Sequence, residues 1–202
     1  MKRLVLASNN FKKIKELKEI LSELDFEVYS LNDMGINIEV EEDGVTFEEN
    51  AVKKAVEIHQ YLKDKGENSF YVLSDDSGLE VDYLNGAPGI YSARYAGEHG
   101  NDYANNIKLL EEMKMAKNDE RSAKFVCVLA LVDEEGNTKT IRGEVNGFII
   151  EELKTEGGFG YDPLFYYPGF NKTFGEAAAE EKNSISHRGE AMKKLKAILT
   201  EV

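Results

Sequence analysis

Cysteine is nearly missing from this chain. One residue of 202, Cys127, excludes an intrachain disulfide framework and fits a reducing compartment. It sits inside Phe125-Val126-Cys127-Val128-Leu129 and reads as a small buried apolar residue. Positive charge is scarce as well. The 25 lysines and arginines stand against 38 aspartates and glutamates, a formal net charge of −13. That balance argues against a nucleic-acid polymer or an anionic membrane as partner, since both require a basic surface. It leaves room for a small phosphorylated ligand, which needs only a local basic pocket or a bound cation. There is neither a run long enough to span a bilayer nor an N-terminal apolar h-region, so a cytoplasmic setting is expected. Repeats, low-complexity stretches and clear linkers are lacking too, which gives one domain over residues 1–202, with two lobes possible. No G-x-x-x-x-G-K-[ST] loop occurs, so a P-loop enzyme is disfavoured. A D-x-D phosphatase is also disfavoured, because Asp75 and Asp76 are adjacent rather than alternating.

What the chain does contain is an α/β pattern. Apolar content of 42% and charged content of 31% describe an ordinary soluble domain. Strands are expected at Arg3–Ala7, Glu27–Leu31, Ile36–Val40, Phe70–Leu73, Leu79–Leu84, Lys124–Val132, Thr138–Val145 and Phe148–Ile150. Helices are expected where Phe11, Ile14, Leu17, Leu21 and Leu24 recur, from Phe47 to Leu62, from Asp102 to Met115, at Glu176–Lys182, and from Ser186 onward. Thr46-Phe47-Glu48-Glu49 fits a capping box.

The stretch Ser74 to Gly97 organises the rest. An apolar run ends in Asp75-Asp76-Ser77-Gly78, read as a strand emptying into a tight turn. Carboxylates there suit a cation site, and a solvated Asx turn explains the same residues. Upstream, Ser8-Asn9-Asn10 joins a strand to a helix N-terminus that carries Lys12 and Lys13. That end of a helix prefers acids, so two lysines point to an anion, although an ordinary cap at Asn10 also accounts for the loop. Glu41-Glu42-Asp43 lies between strand and helix, where one carboxylate can turn toward Asp76. Gly157 to Pro163 places three glycines beside Phe159 and Tyr161, a candidate ligand platform. Lys182, His187 and Arg188 form a small basic cluster, with Ser186 as an N-cap. Magnesium is typically held by one or two carboxylates plus substrate phosphates, so the set suits a nucleoside triphosphate.

Five co-linear segments carry a family likeness: SNNFKK at 8–13, EEDGVTFEENA at 41–51, SDDSGLEVDYLNGAPGIYSARYAG at 74–97, GGFGYDPLF at 157–165 and EKNSISHRGEA at 181–191. Together they closely resemble the inosine triphosphate pyrophosphatase family. The resemblance implies a two-lobed fold, a mixed sheet flanked by helices with a cleft between the lobes. It implies cleavage of dITP, ITP or XTP to monophosphate and pyrophosphate, Mg2+ as cofactor and a homodimer. By the same likeness Asp76 is metal ligand and catalytic base, with Glu41 or Glu42 as second acidic partner. Ser8, Asn10, Lys12 and Lys13 would grip the phosphates, Asn9 and Phe11 of the same motif would belong to the substrate-binding set, and Ser77 would touch substrate. Phe159, Gly160, Tyr161 and Asp162 would hold the nucleoside, Lys182, His187 and Arg188 would select the base, and Ser186 beside them would belong to the substrate-binding set. The family's first motif usually has glycine at the position of Asn9. Asparagine is next best at adopting positive φ, so a phosphate loop of slightly altered geometry is expected. Two alternatives are weighed. Maf-like nucleotide pyrophosphatases share a similar fold but open on a different motif. A non-hydrolysing nucleotide sensor would not need Asp76.

Overall fold

The computed structural model describes residues 2–22, 24–155 and 157–200. β1 (Lys2–Leu6) leads through a four-residue loop into α1 (Phe11–Leu21), followed by β2 (Phe26–Ser30) and α2 (Phe47–Asp64). Next come β3 (Phe70–Val81), α3 (Asp102–Glu112), β4 (Ser122–Val132) and β5 (Thr138–Ile149). The chain closes with β6 (Phe165–Tyr167), β7 (Lys172–Thr173), α4 (Ala179–Ile185) and α5 (His187–Thr200). The strands form one sheet in the order β2-β1-β3-β4-β5-β6-β7. β1 pairs in parallel with β2 and β3, whereas β6 is antiparallel to β5 and β7. This is the expected mixed sheet flanked by helices. No described helix is long and apolar enough to cross a membrane.

Two compact units divide the chain. The first takes Met1–Asp76, Cys127–Arg142 and Ala191–Val202, and the second Ser77–Val126 and Gly143–Glu190. β3, β4 and β5 each contribute residues to both. In the first unit Leu4, Leu6, Leu17, Leu21, Leu73, Leu129 and Leu195 build the core. In the second, Leu79, Val81, Leu109, Phe125, Phe165 and Phe174 do so.

Four expected elements change. Residues 36–40 form no strand. Their alternation is real, with Ile36, Ile38 and Val40 half-buried between exposed neighbours, but among the described residues no strand pairs with them, and extended chain alone is not sheet. Asp75 to Gly78 is not a turn either. β3 runs unbroken for 12 residues through both aspartates, and Leu79–Val81 continues it instead of returning. Phe148–Ile150 is not a separate strand, because β5 extends through Ile149. The short helix expected at Glu176–Lys182 begins later, at Ala179.

Candidate active site

β3 places two carboxylates on alternate faces, as successive strand residues must be. The Asp75 side chain is wholly buried and lies 2.7 Å from the ammonium of Lys13. The Cys127 thiol donates to Asp75 Oδ2 at 3.2 Å. Cys127 is therefore buried, as its surroundings suggested, and it also serves a charged group. Asp76 turns toward Lys54, whose Nζ lies 3.6 Å from Asp76 Oδ1. The same ammonium lies 2.6 Å from Glu42 Oε1 and donates to the Asp75 carbonyl at 2.8 Å. One lysine thus holds two carboxylates and the strand backbone.

Burial pushes the Asp76 carboxyl above the ordinary carboxylate range. Lys54 and Lys13 pull it down without cancelling the desolvation. Glu42 and Asp75 add like-charge repulsion in the same upward direction.

The segment carrying Glu42 is tied to the start of α2. Asn50 Oδ1 accepts from Gly44 N at 2.8 Å, and a Cβ on Gly44 would meet that oxygen at 2.7 Å. Thr46 Oγ1 accepts from Glu49 N at 3.1 Å, while Glu49 reaches one residue past the expected partner, to Val45 N at 2.7 Å. Of the two expected acidic partners, Glu42 faces Lys54. Glu41 is exposed, and its charge acts on Lys53 instead.

At the head of α1, Asn10 Oδ1 accepts from Lys12 N and Lys13 N at 3.0 and 3.1 Å, and Ser8 Oγ accepts from Asn10 N at 3.2 Å. Asn10 is therefore the cap of this helix. No acid sits in its first turn. Phe11 and Lys12 are exposed. Asn9 does not adopt positive φ. Its amide donates to the Ile38 carbonyl at 2.9 Å and ties the loop to the strandless segment.

The second unit gathers the remaining residues. Phe159 is half-buried, with Lys182 Nζ 4.5 Å and the Arg188 guanidinium 5.9 Å from its ring centroid. Asp162 Oδ2 accepts from Lys182 at 2.7 Å and from Phe159 N at 3.0 Å. Gly158 has φ +76°, and a Cβ there would lie 2.6 Å from Asp162, so only glycine permits this tight wrap. The Tyr161 ring is buried, and its hydroxyl donates to Ser92 O at 2.8 Å.

Arg188, 1% exposed, donates to Ser77 Oγ at 3.0 Å. His187 stacks on Phe125 with centroids 4.8 Å apart. Ser186 is the expected cap, its Oγ accepting from Gly189 N at 3.1 Å. A Cβ on Gly189 would lie 1.9 Å from Asn183 O, which fixes glycine at this helix junction.

Lys54 was missed by sequence reasoning. It falls at i+7 from Phe47 and i+3 from Ala51, on the apolar stripe of α2, and is 9% exposed. A lysine at a core position of an amphipathic helix is the signal that points to it.

Magnesium fits these residues in chemistry. Among the described residues no group of three or more His, Cys, Asp or Glu is arranged to hold a metal. Mg2+ does not need one, since it takes one or two carboxylate oxygens and completes its shell with water and phosphate. Asp76 and Glu42, which share the Lys54 ammonium, have the donor chemistry for such a pair.

Known proteins bear this likeness out. A dITP/XTP pyrophosphatase of Clostridium perfringens is 60% identical over 196 residues, covering 97% of this chain and 96% of that protein. One of Clostridium tetani is 54% identical over 97% and 95% of the two chains. The solved Ham1 protein of Staphylococcus aureus superposes with a TM-score of 0.85 at 44% identity, covering 99% of each chain. With the Ham1 sequence profile matching residues 4–198, the chain belongs to the Ham1 family.

Proposed function

We propose that this chain hydrolyses non-standard purine nucleoside triphosphates (dITP, ITP and XTP) to the monophosphate and pyrophosphate, and so cleanses the nucleotide pool. The names of its Clostridium relatives support the reaction. The observation that carries the mechanism is Asp76, a buried carboxyl pushed upward by desolvation and linked through Lys54 to Glu42.

A base works best with its pKa near the working pH, and in the metal-free chain burial moves Asp76 in that direction. Asp76 takes a proton from water as the water oxygen attacks the α-phosphorus. The α–β bridging P–O bond breaks and pyrophosphate leaves. Asp76 and Glu42 would hold a magnesium ion, which would supply charge neutralisation and acidify a bound water. Lys12 and Lys13 add positive charge for the triphosphate, and Ser8, Asn9 and Asn10 shape the loop before α1. A homodimer, which the resemblance to the inosine triphosphate pyrophosphatase family implies, and a reducing cytoplasmic setting, which the single cysteine suits, complete the reading.

The base is chosen by donors. Hypoxanthine and xanthine present a C6 carbonyl, whereas adenine presents an amino group. Lys182 and Arg188, flanking Phe159, pair with the carbonyl and face donor to donor with adenine. Unpaired buried polar groups of this kind discriminate by up to roughly 10⁴-fold.

Incubation with magnesium and dITP, ATP or GTP, with pyrophosphate assayed separately from orthophosphate, tests the reaction. Pyrophosphate from dITP is expected in large excess over both controls, and orthophosphate as first product would remove the α-attack. Arg188→Ala should raise KM for dITP about tenfold or more and narrow the dITP-over-dATP preference, since a charge-assisted hydrogen bond is lost. An unchanged preference ratio would mean that the base is read elsewhere.

A further inference from the structure

One helix, α3, fixes the backbone of the loop just after Phe159. Gly160 N donates to Asp102 Oδ2 at 3.0 Å. The carbonyl of the same glycine accepts from Asn106 Nδ2 at 2.7 Å, and that amide also donates to the Asp102 carbonyl at 2.7 Å. Asp102 and Asn106 are i and i+4 on α3, so they share one face. Asn106 is 3% exposed. Gly160 adopts φ +58°, a conformation that few side-chain-bearing residues hold. Both backbone groups of this one residue are thus fixed by α3, immediately after the aromatic ring.

The helix is itself anchored. Asn101 Oδ1 caps it, accepting from Ala104 N at 3.0 Å. Asn105 Oδ1 accepts from Ala96 N at 2.7 Å, which attaches the preceding segment.

We infer that Asp102 and Asn106 are positioning residues for nucleoside recognition, acting through Gly160 to hold the Phe159 ring at the height where a purine stacks. The inference rests on the reading of that loop as the nucleoside platform. Both side chains, like Phe159, belong to the second unit, whereas Asp76 and Glu42 belong to the first. Losing the clamp therefore weakens nucleoside binding and spares the affinity for pyrophosphate.

The test titrates dIMP and pyrophosphate by calorimetry into the full chain and into Asp102→Ala, Asn106→Ala and Asp102→Asn, with KM and kcat for dITP measured alongside. Asp102→Ala and Asn106→Ala should weaken dIMP binding and raise KM by roughly tenfold, with kcat within about threefold and pyrophosphate binding unchanged. Asp102→Asn keeps an acceptor for Gly160 N and should stay near the parent. Because Asp102 lies at the start of its helix and is only half-buried, Asp102→Ala reports on the clamp even where Asn106→Ala fails to fold.

Unchanged dIMP affinity in Asp102→Ala would overturn the inference. So would a parallel loss of dIMP and pyrophosphate binding, or an Asp102→Asn variant as weak as the alanine. If the parent releases no pyrophosphate from dITP, the proposed activity fails, while the dIMP titration still decides the clamp.

Discussion

Replacing Asp76 by asparagine is expected to lower dITP turnover by about 10³-fold, within the range that a general base contributes, and to raise the melting temperature of the metal-free protein at pH 8. The two effects have one cause. Burial raises the Asp76 carboxyl above its ordinary value of 3.8. The folded state therefore binds this proton more tightly than the unfolded chain does. Stability from this group is complete below the unfolded value and is lost as pH climbs through the folded one. At pH 8 the unfolded chain ionises this carboxyl in water more easily than the folded protein does, and asparagine removes that difference. The stability gain should shrink as pH falls through the folded value and vanish near pH 3.8, where the parent is neutral too. Thermal melts in EDTA from pH 4 to pH 8, beside pyrophosphate release, check both halves. A variant that melts lower than the parent at pH 8 would refute the desolvation argument. Near-normal turnover would show that another group is the base. A more stable but inactive protein separates lost chemistry from lost folding.

Much of this site was legible because its residues lie in elements with strong local signals. Phe47, Ala51, Ala55 and Ile58 mark α2 by spacing alone, and all are buried. Asp75 and Asp76 were misread locally, because Asp, Ser and Gly favour turns. What overrides that preference is distant in sequence. Lys13 of α1 and Lys54 of α2 give the two aspartates cations on alternate faces of the strand, and a strand with paired charges has no need to turn. Asn9 shows the same limit from the other side. Its backbone freedom was considered, yet its side chain matters, through a bond to Ile38, 29 residues away. The roles of Asp102 and Asn106 were hidden for a similar reason, since their partner Gly160 is more than fifty positions downstream. Local propensity reads the elements well, and it cannot read which charges the fold will bring together.

Lys54→Met is the sharper test of that last point. The substitution keeps the length and apolar stem that α2 buries and removes only the ammonium. Glu42 and Asp76 then lose their shared cation, and the Asp75 carbonyl loses a donor. Breaking a fully buried pair costs about 3–5 kcal/mol. Because the Glu42 side chain is 29% exposed, solvent screening brings the expected cost to about 2 kcal/mol. Lys54 lowers the Asp76 carboxyl in the parent, so without it that carboxyl rises further. The stability deficit should then be largest at alkaline pH and recede as pH falls through the raised value. Magnesium should restore part of the lost stability, since a divalent cation bound to the folded form meets the same two carboxylates. Turnover at saturating magnesium should still fall by about 10²-fold, because the lysine also positions Asp76. Lys54→Arg, which keeps the charge, should recover most of the stability. Melts across pH with and without magnesium decide the matter. A deficit independent of both pH and magnesium would mean that Lys54 packs against the core and does not govern the two carboxylates.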